Sequence, residues 1–324
     1  MTIVLSFLFS LFACLLLKSS YSPLKILDLP NERSLHVVPT PRTGGVGVIL
    51  ATLIVWGGQC SLYGMPYTIG WISVAALLVA SISLIDDFRE LSPLIRILVH
   101  GVSAGVLIVG GLVIFEGWFG ILFTWFAIVW MLNLYNFMDG MDGFAGGMTL
   151  SGFAFLTAAG WLQGANEYAM FTSIVAAAAF GFLFVNFPPA RIFMGDVGSA
   201  TLGLLAAAFS LWGIRDGIFE WWFPALIFSP FIVDATVTLL RRIMSRERIW
   251  EAHRSHYYQR LVQMGWGHKK TVIAEYLLML LVGFSALSLL FLQNNTLTYL
   301  TLLTWCSCYL LVIAWIHRQE SKLQ

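Results

Sequence analysis

The stretch NLYNFMDGMDG, Asn133–Gly143, decides how this chain folds, because it places a polar side chain at every third residue between two long apolar runs. Those runs, residues 118–135 and 146–162, each have the length that a helix needs to cross a bilayer. Repeated glycines argue against one straight helix through the stretch. The pattern therefore predicts two membrane-spanning helices joined by a short polar turn at the membrane edge.

The composition predicts that the rest of the chain is also embedded in a membrane. Of 324 residues, 59% are hydrophobic and 11% are charged, whereas a soluble domain has about 25% charged residues. Hydropathy predicts an all-α, polytopic integral membrane protein that forms a single domain over residues 1–324. We expect about eleven transmembrane helices, near residues 2–17, 44–61, 70–85, 94–112, 118–135, 146–162, 168–186, 197–213, 221–240, 271–292 and 297–316.

The positions of Lys and Arg predict the orientation of these helices. If the N-terminus lies outside and the C-terminus in the cytoplasm, every Lys and Arg except Arg215 falls on the cytoplasmic side, as the positive-inside rule favours. Thr2–Leu17 lacks a positive n-region and is followed by Lys18, so we expect a retained helix rather than a signal peptide. The long cytoplasmic loops, where we expect the active site, are residues 18–43, 86–93, 136–145, 187–196 and 241–270.

The first acidic cluster lies at the cytoplasmic end of the third predicted span. Asp86 and Asp87 end the apolar run, and Glu90 follows Asp87 at a spacing that shares a helix face. Carboxylates near apolar spans are costly, so several at one depth indicate a function. The alternative is a solvated helix end, in which Arg89 neutralises the pair.

The second cluster is the polar stretch itself, in which Asn133, Asn136, Asp139 and Asp142 recur every three residues. Two amides and two acids at the end of a span suit a hard cation or the hydrogen-bonding groups of a nucleotide. We expect the glycines at 140, 143, 146 and 147 to let the backbone approach a ligand closely. A plain turn followed by a capped helix is the alternative, but it accounts for only one or two of the four polar residues.

The third cluster, FMGDVGS at Phe193–Ser199, precedes the eighth predicted span. A helix N-terminus with flanking glycines offers backbone N–H groups that bind phosphate. Asp196 is a candidate metal ligand there, and Phe193 is a candidate for stacking on a base. In the alternative, Asp196 is only the N-cap of the helix.

The cytoplasmic loop at residues 241–270 is basic and also contains His253, His256 and His268. Topology and attraction to anionic lipid explain part of its charge. His253 and His256, with Arg254 between them, suit contacts to a diphosphate.

Two further titratable residues lie inside predicted spans, Asp234 in the ninth and His100 in the fourth. Each fits either a buried structural partner or a functional group. In the structural interpretation, Asp234 pairs with Arg241 or Arg242 if the helix end folds back.

Together these segments resemble the polyprenyl-phosphate N-acetylhexosamine-1-phosphate transferases, which include phospho-MurNAc-pentapeptide translocase and the enzymes that initiate O-antigen. The resemblance covers nearly the whole chain. It rests on Asp86-Asp87-x-x-Glu90, Asn133-x-x-Asn136-x-x-Asp139-Gly140-x-Asp142-Gly143, Phe193-x-Gly195-Asp196-x-Gly198-Ser199 and Pro39-Thr40-Pro41-Arg42-x-Gly44-Gly45. The family's peptidoglycan enzyme carries a tight histidine triplet and ten spans. This chain has His253-Arg254-Ser255-His256 and a prediction of eleven spans, which favours the O-antigen-initiating branch.

The resemblance implies transfer of an N-acetylhexosamine 1-phosphate from a UDP-sugar to undecaprenyl phosphate, with release of UMP, to initiate lipopolysaccharide O-antigen or a related glycan. The site would face the cytoplasm from a bacterial inner membrane, with the N-terminus in the periplasm. It would use Mg²⁺, with Mn²⁺ as a substitute. The sequence leaves open a homodimer.

Three alternative functions accompany this interpretation. One is another polyprenyl-phosphate enzyme, such as a phosphatase, which would not need a uridine pocket. Within the family, the alternative is the phospho-MurNAc-pentapeptide transferase of peptidoglycan synthesis. The alternative of another class is a cation-coupled membrane transporter. Transporter acids lie near the bilayer midplane on broken helices, whereas these acids cluster at the ends of spans, which argues against it.

The resemblance also assigns roles to the motif residues. The implied catalytic residues are Asp86, Asp87, His253, Arg254 and His256. The implied metal ligands are Asp196, Asn136 and Asp87. The implied substrate-binding residues are Asn133, Asp139, Asp142, Phe193 and Arg42.

The role of Asp86 has alternatives within this assignment. The family argument makes it a base for the lipid phosphate. That phosphate is already largely dianionic at pH 7, because its second pKa is about 6. We therefore expect Asp86 to act by orientation and electrostatics, and a covalent aspartyl-phosphate route is a further alternative.

Overall fold

The computed structural model describes residues 1–19, 22, 24, 26–30, 35, 38–89, 91–248 and 253–322, so the motif residue Glu90 lies outside the described part of the chain. The regular secondary structure of the described residues is helical apart from one antiparallel pair of short strands, β1 (Leu27–Asp28) and β2 (Thr40–Pro41). The helices are α1 (Thr2–Leu17), α2 (Gly44–Tyr63), α3 (Tyr67–Arg89), α4 (Pro93–Val109), α5 (Gly117–Met138), α6 (Phe144–Leu162), α7 (Asn166–Asn186), α8 (Gly195–Arg215), α9 (Trp222–Ile227), α10 (Ser229–Met244), α11 (Tyr257–Leu261), α12 (Gly267–Leu292) and α13 (Asn295–Glu320), with a π-helical turn at Val262–Trp266 between α11 and α12.

The structure agrees with a multi-pass membrane protein. Seven helical segments of the described chain are long and apolar enough to cross a membrane, namely α2, α3, α5, α7, α8, α13 and the run from α11 through α12. Helices α1 and α4 are apolar but shorter. A helix is present at each predicted span, while the number eleven and the orientation of the termini stay predictions.

The ninth predicted span, residues 221–240, is wrong as a single helix. The structure has two helices there, α9 and α10, with a break at Phe228. Pro230 stands in the first turn of α10. A proline is tolerated at that position because its missing N–H has no partner in the first turn, and its ring stops a helix from running through.

Helices α7 and α8 form the centre of the bundle, and most of each is buried. Helix α8 packs against α2, α3 and α5, while α7 packs against α1, α2 and α6. Helix α13 lies at the edge, with nearly all of its surface outside the bundle. Since α3 and α5 both pack on α8, their C-terminal ends meet the start of α8, and the three acidic motifs come together there.

The loop before α2 and the start of α8 are locked to each other through their backbones. The N–H of Gly44 donates to the carbonyl of Phe193 at 2.9 Å, and that of Gly45 donates to Met194 at 2.8 Å. A Cβ atom on Gly45 would collide with the backbone of Gly198. Glycine is therefore required where α2 crosses α8, and this crossing joins two of the sequence motifs.

The glycines that follow Asp139 make room for protein side chains, so the expectation that they admit a ligand is wrong. A Cβ atom on Gly140 would meet the hydroxyl of Tyr258, and one on Gly147 would meet the ring of Tyr276. Tyr258 is fully buried and its ring packs 4.8 Å from that of Phe144. The second motif thus packs against Tyr258, in the segment that follows His253 and His256.

Candidate active site

One cavity of about 370 Å³ lies where α3 ends, α4 begins, α5 ends and α8 begins. Seven of the residues singled out from the sequence line it, His100 included, together with three that carry its remaining polar or aromatic surface. They are Asp86, His100, Asn133, Asn136, Asp196, His253 and His256, and then Ser83, Arg96 and Phe137.

The Asp86 carboxylate is held by two donors at the start of α4. Its Oδ1 atom accepts a hydrogen bond from the Leu91 N–H at 2.6 Å, and its Oδ2 atom accepts one from Nη1 of Arg96 at 3.3 Å. Asp86 itself is buried. The carboxylate is therefore an ion-paired anion with a fixed orientation, which rules out the simple solvated helix end.

Asp196 lies in the first turn of α8 and is joined to α5. Its Oδ1 atom accepts a hydrogen bond from Nδ2 of Asn136 at 2.8 Å, and the same amide donates to the Ser199 hydroxyl at 3.1 Å. Its Oδ2 atom lies 3.7 Å from Nη1 of Arg96. The N-cap of α8 is Met194 and makes no side-chain cap, so the interpretation of Asp196 as an N-cap is wrong.

Asp87 is buried beside Arg42. Nη2 of Arg42 donates to the Asp87 carbonyl at 3.0 Å, and Nε lies 3.4 Å from the carboxylate Oδ1. That Oδ1 atom is buried and accepts no hydrogen bond among the described residues. A buried carboxylate oxygen without a donor is costly, and the nearby Arg42 guanidinium offsets part of that cost; Asp87 does not line the cavity.

Asp139 follows the last residue of α5 and lies among the other carboxylates. Burial raises its pKa well above the usual range, and the charges of Asp196, Asp28 and Asp87 raise it further, whereas a hydrogen bond from the Gly195 N–H lowers it. The crowding of carboxylates at the ends of three helices thus favours protons or cations in this region.

Asp142 has its own partners away from the cavity. Its Oδ2 atom accepts a hydrogen bond from the Ala190 N–H at 2.9 Å, and its Oδ1 atom lies 3.1 Å from Nδ1 of His268. Phe193 is half-buried, and its N–H donates to the Pro41 carbonyl. The structure therefore brings neither residue to the cavity wall.

His253 and His256 close the cavity from the segment before α11, with ring centroids 4.9 Å apart. Burial lowers the pKa of His253 to about 4, and the neighbouring His256, Arg242 and Arg241 act in the same direction. His253 is therefore neutral at pH 7 and offers hydrogen bonding rather than charge. Arg254 is exposed and does not line the cavity.

Asp234 does not pair with Arg241 or Arg242, so the structural partner expected for it is wrong. Its Oδ1 atom instead lies 3.1 Å from Nδ1 of His256. Arg241 donates to the Ser255 carbonyl, and Arg242 pairs with Glu247. Arg241, in the basic end of α10, therefore holds the backbone of residues 253–258, which we call the histidine segment.

The comparisons with known proteins identify the family of this chain. Residues 69–214 match the family described as Glycosyl transferase family 4. A probable undecaprenyl-phosphate N-acetylglucosaminyl 1-phosphate transferase of Bacillus subtilis is 30% identical over 305 residues, covering 89% of this chain and 85% of that protein. The chain belongs to the polyprenyl-phosphate N-acetylhexosamine-1-phosphate transferase superfamily.

Two other relatives indicate how broad this transferase superfamily is. A decaprenyl-phosphate N-acetylglucosaminephosphotransferase of Mycobacterium leprae is 30% identical over 83% of this chain and 78% of its own length. A phospho-N-acetylmuramoyl-pentapeptide-transferase of Chlorobium phaeobacteroides is 27% identical over 84% and 85%. The resemblance read from the motifs is confirmed at the level of the superfamily, and the O-antigen branch stays a prediction.

The sequence alone does not predict Arg96 as a residue of this cavity and gives His100 no definite role. Arg96 was counted only as a topological charge, although it lies between Asp86 and Asp196. His100 is buried in the cavity wall one helical turn further along α4. Their spacing of four residues puts both on one helix face, and Pro93 starts that helix just after the first motif. A cation and a histidine on one face of a helix that begins just after the first motif could have indicated that both belong to the site.

Proposed function

We propose that this protein transfers an N-acetylhexosamine 1-phosphate from a UDP-sugar to a polyprenyl phosphate and releases UMP. The observation that carries the proposal is the convergence of Asp86, Arg96, Asn136, Asp196 and the two histidines on one cavity at the ends of helices. The relatives named above for N-acetylglucosamine phosphate transfer support the sugar class. On this basis N-acetylglucosamine is the first donor to test.

In the proposed reaction an oxygen of the lipid phosphate attacks the phosphorus that bears the sugar. A new P–O bond forms there, the phosphoanhydride bond breaks, and UMP leaves with its electron pair. Such a transfer depends mainly on positioning and on neutralising charge. Arg96 supplies a cation inside the cavity, while neutral His253 supplies a hydrogen bond to a phosphate oxygen.

Asp86 has a positioning role in this proposal. Its carboxylate already accepts hydrogen bonds from Leu91 and Arg96. Since a phosphate monoester is mostly dianionic at pH 7, the attacking oxygen needs no base. Asp86 therefore orients Arg96 toward the reacting phosphates.

The oxygen-rich side of the site fits Mg²⁺. No group of three His, Cys, Asp or Glu side chains in the described residues is arranged around one point, which suits an ion that keeps few protein ligands and takes the rest from phosphates and water. Asp196, Asp87 and Asn136 would hold it, since Oδ1 of Asp87 accepts no hydrogen bond among the described residues and Asn136 lies beside Asp196. A bound Mg²⁺ would supply positive charge to the diphosphate.

The proposed binding site for the uridine of the donor has less support than the site for its phosphates. Family resemblance assigns it to Asp139, Asp142 and Phe193, with Asn133 and Arg42 as further contacts. Of these, Asn133 lines the cavity, and its Nδ2 atom donates to the Val129 carbonyl, which leaves its oxygen available. Asp139, Phe193 and Arg42 lie at the start of α8, whereas Asp142 bonds to Ala190 and His268. This part of the proposal therefore places uridine on the α8 side.

We place the site on the cytoplasmic side of a bacterial inner membrane, because the positive-inside rule puts the motif loops there. The homodimer and the O-antigen assignment stay predictions. The peptidoglycan alternative has weaker support, since its relative above is 27% identical against 30% for the N-acetylglucosamine enzymes.

The deciding experiment measures UMP release by purified protein with undecaprenyl phosphate and a panel of UDP-sugars, each with Mg²⁺, with Mn²⁺ and with chelator. We expect release that requires the lipid phosphate, the ion and one UDP-N-acetylhexosamine. Release only with the MurNAc-pentapeptide donor would move the protein to the peptidoglycan branch. No release from a folded preparation with any donor would contradict the proposal.

A further inference from the structure

The buried carboxylate of Asp234 is satisfied almost entirely by the histidine segment. Its Oδ1 atom accepts from the Tyr257 N–H at 3.0 Å, from Nδ1 of His256 at 3.1 Å and from the Thr238 hydroxyl at 3.1 Å. Its Oδ2 atom accepts from the Tyr258 N–H at 3.0 Å. Three of the four donors thus belong to consecutive residues, His256 to Tyr258, which lie more than twenty positions after Asp234 in the chain.

These contacts fix where the histidine segment lies. The N–H groups of Tyr257 and Tyr258 are at the start of α11, where a helix has no internal acceptors. A carboxylate from α10 accepts both, and charge-assisted hydrogen bonds of this kind are the strong ones. Tyr258 is held further by its packing on Phe144 and by a hydrogen bond from its hydroxyl to the Phe137 carbonyl.

The same carboxylate selects which nitrogen of His256 is available to the cavity. Because Asp234 accepts only, Nδ1 of His256 must carry the proton in this contact. Nε2 is then the ring nitrogen that remains for the cavity that His256 lines. An acidic partner behind a functional imidazole sets its tautomer and orientation in the same way in other sites.

We propose that Asp234 is a positioning residue that holds His256 in the tautomer and place that the transfer reaction needs. This inference rests on the proposed function of the cavity, in which His256 faces the phosphates. An ordinary packing role would need only a neutral polar group of the same size. An asparagine could not replace Asp234 in the positioning role, because its NH₂ group would face either the Tyr258 N–H or the donors at Oδ1.

The test compares Asp234→Asn with Thr236→Val in purified protein. Thr236 lies two residues away on the same helix, and its buried hydroxyl has no hydrogen-bond partner among the described residues, so its variant controls for a polar change in α10. We expect Asp234→Asn to lower kcat by about 10- to 100-fold with KM for both substrates within about threefold. Thr236→Val should match the wild type in both constants.

A double-variant cycle separates positioning of His256 from general damage to the fold. If Asp234 acts through His256, adding Asp234→Asn to His256→Ala should lower kcat by less than about threefold more. Full multiplication of the two effects would overturn the inference. If Asp234→Asn does not fold, Asp234→Glu keeps the charge but moves it by one methylene, and the same non-additivity is expected.

Hydrogen–deuterium exchange tests the inference without any reaction. The amides of residues 253–261 should exchange faster in Asp234→Asn than in Thr236→Val or the wild type, because two of their acceptors are weakened. Unchanged exchange would overturn the inference. A wild type that is inactive with every donor but shows this exchange difference would remove the proposed function and leave the structural hold of Asp234 on the segment established.

Discussion

Nη1 of Arg96 lies 3.3 Å from Oδ2 of Asp86, so the cation of α4 neutralises the first acid of the first motif. The two residues come from consecutive helices, and Pro93 is the first residue of the second. The same guanidinium lies 3.7 Å from Asp196. One arginine therefore connects the first and third motifs inside the cavity.

The first prediction concerns Arg96. Arg96→Ala should lower kcat/KM by about 10²- to 10³-fold, because it removes a fixed positive charge from a site that binds two anionic substrates. Arg96→Lys should recover part of this, since a point charge replaces a planar fork. UMP release measures both. Arg89→Ala is the matched control, because Arg89 is exposed at the end of α3 and does not line the cavity, and a loss of the same size there would contradict the role of Arg96.

The second prediction separates the two roles of Asp86. Asp86→Asn should lose activity, and the lost activity should not return as the pH rises from about 6 to 8, because ionisation of the lipid phosphate near pH 6 already supplies the nucleophile. The measurement is kcat across this range for the variant and the wild type. Recovery of the variant that follows phosphate ionisation would show that Asp86 acts as a base.

The third prediction follows from the lowered pKa of His253. Its folded pKa is about 4, whereas an unfolded histidine titrates near 6.5. Between these values the unfolded chain binds more protons than the folded one, so this residue makes the protein less stable as the pH falls through that window. The melting temperature in detergent should therefore fall more steeply from pH 7 to pH 5 in the wild type than in His253→Asn.

A second histidine variant controls this measurement. His317 is exposed near the end of α13, and His317→Asn changes one imidazole outside the cavity. We expect its decline in melting temperature with falling pH to follow the wild type. Parallel curves for the wild type and His253→Asn would show that His253 titrates in its ordinary range.

The fourth prediction concerns the crossing of α2 and α8. Gly45→Ala should destabilise the folded protein by about 1–3 kcal/mol, because the added methyl meets the backbone of Gly198, which has no rotamer to change. Gly57 lies on the same helix with open space at its Cβ position. Gly57→Ala should be neutral or slightly stabilising, since alanine is the better helix former. Thermal unfolding and recovery of monodisperse protein measure the difference, and equal behaviour of the two variants would contradict the close crossing.

The sequence predicted the helical architecture and most of the cavity, because both depend on local patterns. Apolar runs of bilayer length predict helices wherever they occur, and acids at the ends of those runs are too costly to be incidental. Asp86, Asn136 and Asp196 were found in this way. The structure brings them together because the helices that carry them pack on each other.

The features that the sequence did not predict depend on contacts between distant segments. Arg96 has the same sequence pattern as a topological charge, and only the packing of α4 beside α8 gives it two acidic partners. Asp234 finds its partner 22 residues away, across a loop that no periodicity describes. The glycine at position 140 predicted a ligand contact, but the approaching group is Tyr258.

The fit of Tyr258 against Gly140 also has a consequence for biosynthesis. The ribosome delivers the second motif long before Tyr258, so the side chain that fills the space above Gly140 comes from a segment that is synthesised much later. The histidine wall of the cavity is set only when α11 arrives and its tyrosine fills that space. A chain that lacked the segment from His253 onwards would therefore keep the acids of the cavity and lose its histidine wall.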